Sequence, residues 1–324
     1  MSVDIWPSPN KRPGVLFSAS STSDHVENEL SKMFGGAYPV LCSSARSSIS
    51  LIIEHMQLSR DSLVRVPAYA SHCLLESVSR FATPVPYQAD INCEVSIVYH
   101  QWGVSQYNLK NNSGTVIEDA CDSVYLENNI SMKLGGKYEI WSLPKILACS
   151  TGGVIWCKNN KDAENLRELR DNRRHSPSLQ WYLRMLGEHY PSLLSYWGGV
   201  ESLCGNLPER ALNEILSAFI NYDEIKIQRK SRLDLAKKYL NIDSTISLDN
   251  RLPCCLPILI KENTATLLTE LGINIGFRYF EKINSVNESE LTKVYPLPIH
   301  QQIPMALLEV GLNKLKENDA TCIA

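Results

Sequence analysis

Between residues 38 and 157 the chain alternates short apolar runs with helix-like segments, and this alternation restricts the fold more than any other feature. The runs are YPVLC (38–42), LVRVPAY (63–69), TPVPY (83–87), VSIVYH (95–100), GTVIED (114–119), YEIWS (138–142) and GVIWC (153–157). They have strand length and carry the β-branched and aromatic side chains that suit a pleated surface. Ser47 to Met56 lies between the first two runs and Cys73 to Phe81 between the second and third, both apolar at helical spacing. A helical crossover returns the chain to the edge it left, so strands joined this way lie parallel. The pattern predicts an α/β layer architecture with a mostly parallel sheet.

The flanks read differently. The first 20 residues or so are rich in Ser and Pro and read as an extended arm, followed by an amphipathic helix over 24–33 with Asp24 near its start. Residues 161–220 turn helical and more charged, with Arg167, Arg170, Arg173 and Arg174 close together. These arginines read as a solvated helix face, with contact to a substrate diphosphate as the alternative. From about residue 230 come a helix, a strand (256–261), a helix from Asn263 to Leu271, an extended piece near Phe277 to Phe280 and a last helix from Met305 to Lys316. That order suits a small α+β unit, so two domains are expected, 1–225 with the arm and 226–324.

Charge and motif content exclude several classes. Thirty-two Lys and Arg stand against 35 Asp and Glu, a net charge of −3, which gives no footprint for nucleic acid. No apolar run approaches the ~18 residues of a membrane span. The N-terminus, MSVDIWPSPNKRPG, has no apolar signal region, so a soluble cytoplasmic protein is expected. Ten cysteines then read as reduced thiols; none forms a CxxC pair, and the vicinal Cys254 and Cys255 lack zinc-site spacing. The seven histidines form no HExxH, and no metal site is expected. Neither a Walker A string nor GxGxxG is present, so phosphate-loop and dinucleotide readings lose their anchor.

Three strand ends carry residues with chemistry. In CSSARSSISLIIEHM (42–56) a strand gives way to hydroxyl residues and a helix start, where free amides with Ser43, Ser44, Ser47 and Ser48 can cradle a phosphate, or where a serine merely caps the helix. VIEDACDS (116–123) runs a strand into Glu118 and Asp119, placing a carboxylate where open α/β sheets bind ligands. In WSLPKILACSTGG (141–153) a strand ends at Ser142, and Lys145 follows among Leu143, Pro144, Ile146 and Leu147. Such a lysine either snorkels to water or is held in a dry site. Gly152 and Gly153 after it permit close backbone approach. Singly these are ordinary. In this order they meet the needs of pyridoxal phosphate: a cradle for the phosphate, a carboxylate that keeps the pyridine nitrogen protonated, and an amine that joins the aldehyde and later moves a proton.

With these motifs the chain resembles the DegT/DnrJ/EryC1/StrS family of pyridoxal-phosphate enzymes, the sugar aminotransferases of the aspartate-aminotransferase fold. The matching runs are SSARSSI (43–49), VPAYASHCLLESV (66–78), ATPV (82–85), HQWG (100–103), VIEDACDS, SLPK with the glycine pair, and LPIHQQIP (297–304). They cover residues 35–155 well and 250–315 loosely. The resemblance implies a three-layer PLP-transferase fold, with a mostly parallel sheet flanked by helices and a small C-terminal α+β domain. It implies pyridoxal 5'-phosphate as cofactor, Lys145 as the lysine that joins it and Asp119 as the partner of its pyridine nitrogen. Ser44, Ala45 and Arg46, with Ser142, would line the phosphate. Asp122 falls where the family usually has Gln, near the phenolic oxygen.

The chain also departs from the family pattern. Ala45 replaces a usual Gly, and the ring-stacking aromatic falls on Ser71, leaving Tyr69 or His72 as substitutes. The family motif that reaches a neighbouring subunit's phosphate is matched only by the stretched pair Asn206 and Arg210. His100, His300 and Arg278 are further candidates near the site. The activity implied is transfer of an amino group, from glutamate as donor, to a keto-sugar carried on a nucleotide, in polysaccharide or aminosugar biosynthesis. A family variant that dehydrates uses histidine in place of the lysine, and Lys145 argues against it. The alternative from another class is a non-catalytic relative that binds cofactor or sugar as a regulator, which the altered loop and missing stacker keep open. A homodimer is expected from the family, and Trp102, Tyr107, Trp181, Tyr182, Tyr190, Tyr196 and Trp197 offer aromatics for such an interface.

Overall fold

All seven apolar runs form strands of one sheet. The computed structural model describes residues 2–9, 21–106, 114–173, 182–183, 186–187, 190–193, 196, 202–242, 250–285 and 288–323. Helix α1 (Ser23–Met33) leads into β1 (Tyr38–Cys42), α2 (Ala45–His55), β2 (Leu63–Val66), α3 (His72–Ser79), β3 (Thr83–Pro86), β4 (Val95–Tyr99) and β5 (Thr115–Asp119). After them come β6 (Ser123–Tyr125), β7 (Tyr138–Ser142), the one-turn α4 (Leu143–Leu147), β8 (Gly153–Cys157) and α5 (Asn160–Asp171).

The sheet order is β1-β8-β7-β5-β4-β2-β3. The pairs β7–β5, β5–β4, β4–β2 and β2–β3 are parallel, while β8 runs antiparallel to both its neighbours. Every strand except β8 therefore ends at the same edge. Side chains alternate across the sheet, as the two-residue period requires. Val40, Ile140 and Ile155 face a cluster with Ile49, Ile52 and Ile53 of α2, Leu74 of α3 and Leu166 of α5. Leu41, Trp141 and Trp156 face Leu30 of α1 and Phe34 on the other side. The sheet is thus the middle of three layers. Burying a branched or aromatic side chain in this way is worth roughly 1.5–3 kcal/mol.

The C-terminal part contributes α6 (Glu209–Ile220), α7 (Tyr222–Tyr239), β9 (Asn241–Ile242), β10 (Arg251–Pro253), β11 (Cys255–Leu259), α8 (Glu262–Glu270), β12 (Arg278–Ser285), β13 (Glu288–Pro298), α9 (Met305–Glu317) and β14 (Thr321–Cys322). Five of these strands form a second sheet, β12-β13-β11-β14-β9. The boundary read between residues 225 and 226 falls inside α7, an unbroken helix. Tyr222, Ile225, Leu233 and Ala236 of α7 belong to the apolar cluster that holds both Trp141 and Leu256. No described helix is long and apolar enough to cross a membrane.

The arginine group is a correction to the sequence reading. Glu27 on α1 is buried, and a buried carboxylate needs a paired cation. Arg167 Nε lies 2.6 Å from Glu27 Oε2, and Arg170 Nη1, also buried, meets Glu27 Oε1. Arg173 reaches Glu54 at 2.8 Å. Arg167 and Arg170 clamp α5 to α1, and Arg173, just past the end of α5, reaches α2; Arg174 lies outside the described residues. Among the aromatics read as interface candidates, Trp102 is buried beside Phe280, and Tyr182, Tyr190 and Tyr196 are exposed. Tyr107, Trp181 and Trp197 lie outside the described residues, as do residues 10–20 of the arm.

Candidate active site

Register brings the three motifs together. Tyr99 pairs with Asp119, Asp119 with Ile140, and Gly153 with both Cys42 and Ser142. The ends of β1, β4, β5 and β7 therefore lie side by side, at the edge where open α/β sheets bind ligands. A cavity of about 570 Å³ opens there, lined by Ser44, Ala45, Arg46, Tyr69, Asp119 and Lys145 among others.

At the first wall, the helix start is shaped by small residues. Ser44 caps α2, its Oγ accepting the Ser47 N–H at 3.1 Å, while the Ser44 carbonyl accepts from Ser48 N at 3.0 Å. The Ala45 and Arg46 amides precede any intrahelical acceptor and are the donors a phosphate would meet. Not all four serines belong to this cradle. Ser43 Oγ donates to Cys204 O at 3.0 Å, Ser47 Oγ donates to the same carbonyl, and Ser48 Oγ donates to Ser44 O at 3.0 Å. The Ser43 and Ser47 hydroxyls tie the start of α2 to Cys204, while that of Ser48 stays within the helix start. The glycine pair holds the wall from behind. Gly152 has φ +115°, a conformation that side chains rarely adopt, and a Cβ on Gly153 would lie 2.5 Å from Ser44 C and 2.7 Å from Ala45 N.

At the second wall, alternation along β5 separates two adjacent acids. Glu118 turns away, accepting from the amides of Lys133, Leu134 and Gly136 at 3.1, 3.0 and 3.1 Å, and sits 2.9 Å from His100 Nε2. His100 is completely buried and its Nδ1 accepts from Gln106 N at 3.0 Å, so it belongs to this network and not to the cavity. Asp119 turns into the cavity, one oxygen accepting from Cys121 N at 3.1 Å. Burial pushes its carboxyl above the ordinary range, a penalty only partly offset by Cys121 and Lys145. A cation at this carboxylate would relieve that penalty.

At the third wall, Lys145 stands in the single turn of α4, with Leu143, Ile146 and Leu147 buried around it. Its Nζ lies 2.9 Å from Asp122 Oδ1 and 4.5 Å from the centre of the Trp6 ring. Desolvation works against the ammonium, but Asp122, with Cys121 and Asp119, outweighs it and raises the lysine above its ordinary value. Asp122 is fully buried; it also accepts from the Tyr99 hydroxyl and, at 3.3 Å, from Trp102 N. The Tyr99 hydroxyl is raised well above its usual value by burial and by Asp122.

Other candidates are scattered. Ser142 and Arg278 line the cavity. Tyr69 lines it too, 45% exposed, with its ring 5.1 Å from that of Tyr279. His72 is exposed on the first turn of α3, outside the lining, as are half-buried Asn206 and exposed Arg210. His300 is buried and bound to the arm, Nε2 lying 2.9 Å from Asp4 O. Sequence reasoning missed Trp6, Tyr99 and Thr151 in the wall. Tyr99 had a signal, since it ends a strand beside HQWG, whereas nothing local marks Trp6.

The donor set fits pyridoxal phosphate: helix-start amides for a dianion, a buried carboxylate short of a cation for the pyridine nitrogen, and an amine for the aldehyde. Fold and site define a pyridoxal-phosphate enzyme of the aminotransferase fold. A family model described as "Putative PLP-dependent aminotransferase" matches residues 26–316, and the chain belongs to this family of PLP-dependent aminotransferases. Among solved structures it is similar to "Putative sugar aminotransferase Spr1654 from Streptococcus pneumoniae, PLP-form", with TM-score 0.67, 15% identity, and 98% of each chain covered. DesV from S. venezuelae superposes with TM-score 0.64 at 16% identity, covering 92% of this chain and 89% of its own. Helicobacter pylori PseC, an aminotransferase of pseudoaminic acid biosynthesis, gives 0.63 at 13% identity, covering 96% and 98%. No match was found among curated protein sequences.

Proposed function

We propose that this aminotransferase moves an amino group from an amino acid, glutamate, onto a keto-sugar linked to a nucleotide, in aminosugar or cell-surface polysaccharide biosynthesis. The observation that carries the reading is the single cavity shared by the α2 start, Asp119 and Lys145. The structural neighbours support its acceptor class: Spr1654 is described as a sugar aminotransferase, and DesI was solved with its TDP-sugar product.

When bound, the cofactor withdraws electrons from the carbon that carries the amino group and so acidifies its hydrogen. The Ala45 and Arg46 amides, with Ser44 and Ser142 nearby, hold the phosphate. Asp119 holds the proton on the pyridine nitrogen. Lys145 Nζ takes the acidified hydrogen and returns it elsewhere, as general base and then general acid. Asp122, 2.9 Å from Lys145 Nζ, favours the ammonium that Lys145 becomes on taking that hydrogen, and the Tyr99 hydroxyl donates to the same carboxylate. The working unit is a homodimer in the cytoplasm. The test offers the purified, cofactor-loaded protein L-glutamate and a set of nucleotide-linked ketohexoses and measures 2-oxoglutarate with the aminated sugar. Formation of both supports the reading; 2-oxoglutarate release with every keto-acid acceptor and no keto-sugar would overturn it.

A further inference from the structure

Residues 2–9 are fastened along their length. Val3 donates to Gly272 O at 2.7 Å and accepts from Asn274 N at 2.8 Å. Asp4 O takes the His300 bond, and Asp4 Oδ1 accepts from Asn274 Nδ2 at 2.8 Å. Ser8 exchanges two bonds with the Gln302 side chain, each 2.7 Å. Val3 is buried in the main core, while Ile5 and Trp6 pack against Trp102, Cys254, Cys255 and Phe280. Ordering eight residues is costly in conformational entropy, so these anchors specify one path for the arm. That path delivers Trp6, Pro7 and Pro9 into the wall of the cavity that holds Lys145. The indole keeps part of its surface exposed, and its centre lies 4.5 Å from the reactive amine.

We propose that Trp6 is a substrate-positioning residue, whose ring supports the hexose of the acceptor while the sugar's keto carbon meets the amino group delivered at Lys145. The inference rests on the keto-sugar reading. An indole face is negative and attracts both cations and polarised C–H bonds, and a hexose ring offers a face of C–H bonds. The glutamate donor has no such ring. Trp6 therefore separates the two half-reactions: it acts on the acceptor and leaves the donor alone. The resting contact with the Lys145 ammonium holds the same indole in place before substrate arrives.

The experiment uses the full chain loaded with cofactor and compares wild type with Trp6→Ala and Trp6→Phe. Cofactor content is read by absorbance, the donor half-reaction by its spectral change with L-glutamate, and the acceptor KM with a TDP-linked ketohexose. Trp6→Ala is expected to keep cofactor content and the glutamate half-reaction within about twofold, and to raise the acceptor KM by about tenfold or more, with Trp6→Phe restoring most of the loss. An unchanged acceptor KM in Trp6→Ala overturns the proposal while leaving the keto-sugar reading intact. Loss of cofactor content also overturns it, because Trp6 then belongs to the cofactor's own face. Failure of wild type to aminate any ketohexose, with the glutamate half-reaction proceeding, refutes the keto-sugar reading and the proposal with it.

Discussion

Lys145 Nζ lies 2.9 Å from Asp122 Oδ1, so this lysine is paired with a carboxylate that is itself fully buried. An amine held as its ammonium is no nucleophile. The pair therefore sets the pH at which Lys145 becomes available, and it does so against the desolvation that lowers a buried lysine.

Asp122→Asn removes that charge while keeping the shape. Lys145 should then titrate lower in the cofactor-free protein, by about one pKa unit or more, or ~1.4 kcal/mol. The check is the pH profile of amine labelling at Lys145, followed by peptide mass. A profile that does not move would mean that the ion pair leaves the amine unaffected.

Asp119→Asn should leave the fold and cofactor uptake in place and cut transamination about 30-fold or more, the equivalent of ~2 kcal/mol for a desolvated charged partner. Turnover at the wild-type rate would show that the carboxylate does not serve the pyridine nitrogen.

Gly153→Ala tests the phosphate wall. Its new Cβ would fall 2.5 Å from the Ser44 carbonyl carbon, so backbone must shift where the amides of Ala45 and Arg46 are aimed. Cofactor affinity, measured by absorbance titration, should drop at least about tenfold, ~1.4 kcal/mol. Unchanged affinity would place the phosphate elsewhere.

The fold was far more legible than the site. Apolar runs in β1, β4, β7 and β8 announce themselves because both faces of the sheet are covered, and β8 is strand-like whichever way it runs; its antiparallel direction is a tertiary fact. Strand β13 was missed because ESELTKVYPLP opens with charged residues and carries two prolines, although Val294, Tyr295 and Leu297 are buried. Order along the chain singled out Asp119 and Lys145, and the structure places both in one cavity. The arginines of α5 misled because Glu27, their partner, lies some 140 residues away in sequence. Trp6 was invisible for the same reason: its neighbours Lys145, Cys255 and Phe280 come from α4, β11 and β12.

Buried histidines should make the protein acid-sensitive. Burial lowers His300 to about 4, with Arg229 and Arg232 adding to it against the Asp4 carbonyl, and burial likewise lowers His100 to about 4. Below the ordinary histidine value near 6.5 the unfolded chain binds protons that the folded chain refuses, so stability falls as pH drops from about 6.5 to 4. Each histidine contributes a slope of up to ~1.4 kcal/mol per pH unit. Urea unfolding across that window should show the decline, shallower in His300→Asn. An identical slope in the variant would show that His300 is not held neutral.

The central claim, that Lys145 is the amine that joins the cofactor, is tested most directly by loading the protein with pyridoxal 5'-phosphate, reducing with borohydride and mapping the modified peptide. The account predicts a pyridoxyl group on Lys145 and on no other lysine. Lys137 is the instructive control, since its Nζ pairs with Asp162 at 3.1 Å and it does not line the cavity. Finding the group on Lys137, or finding none on Lys145, would contradict the account.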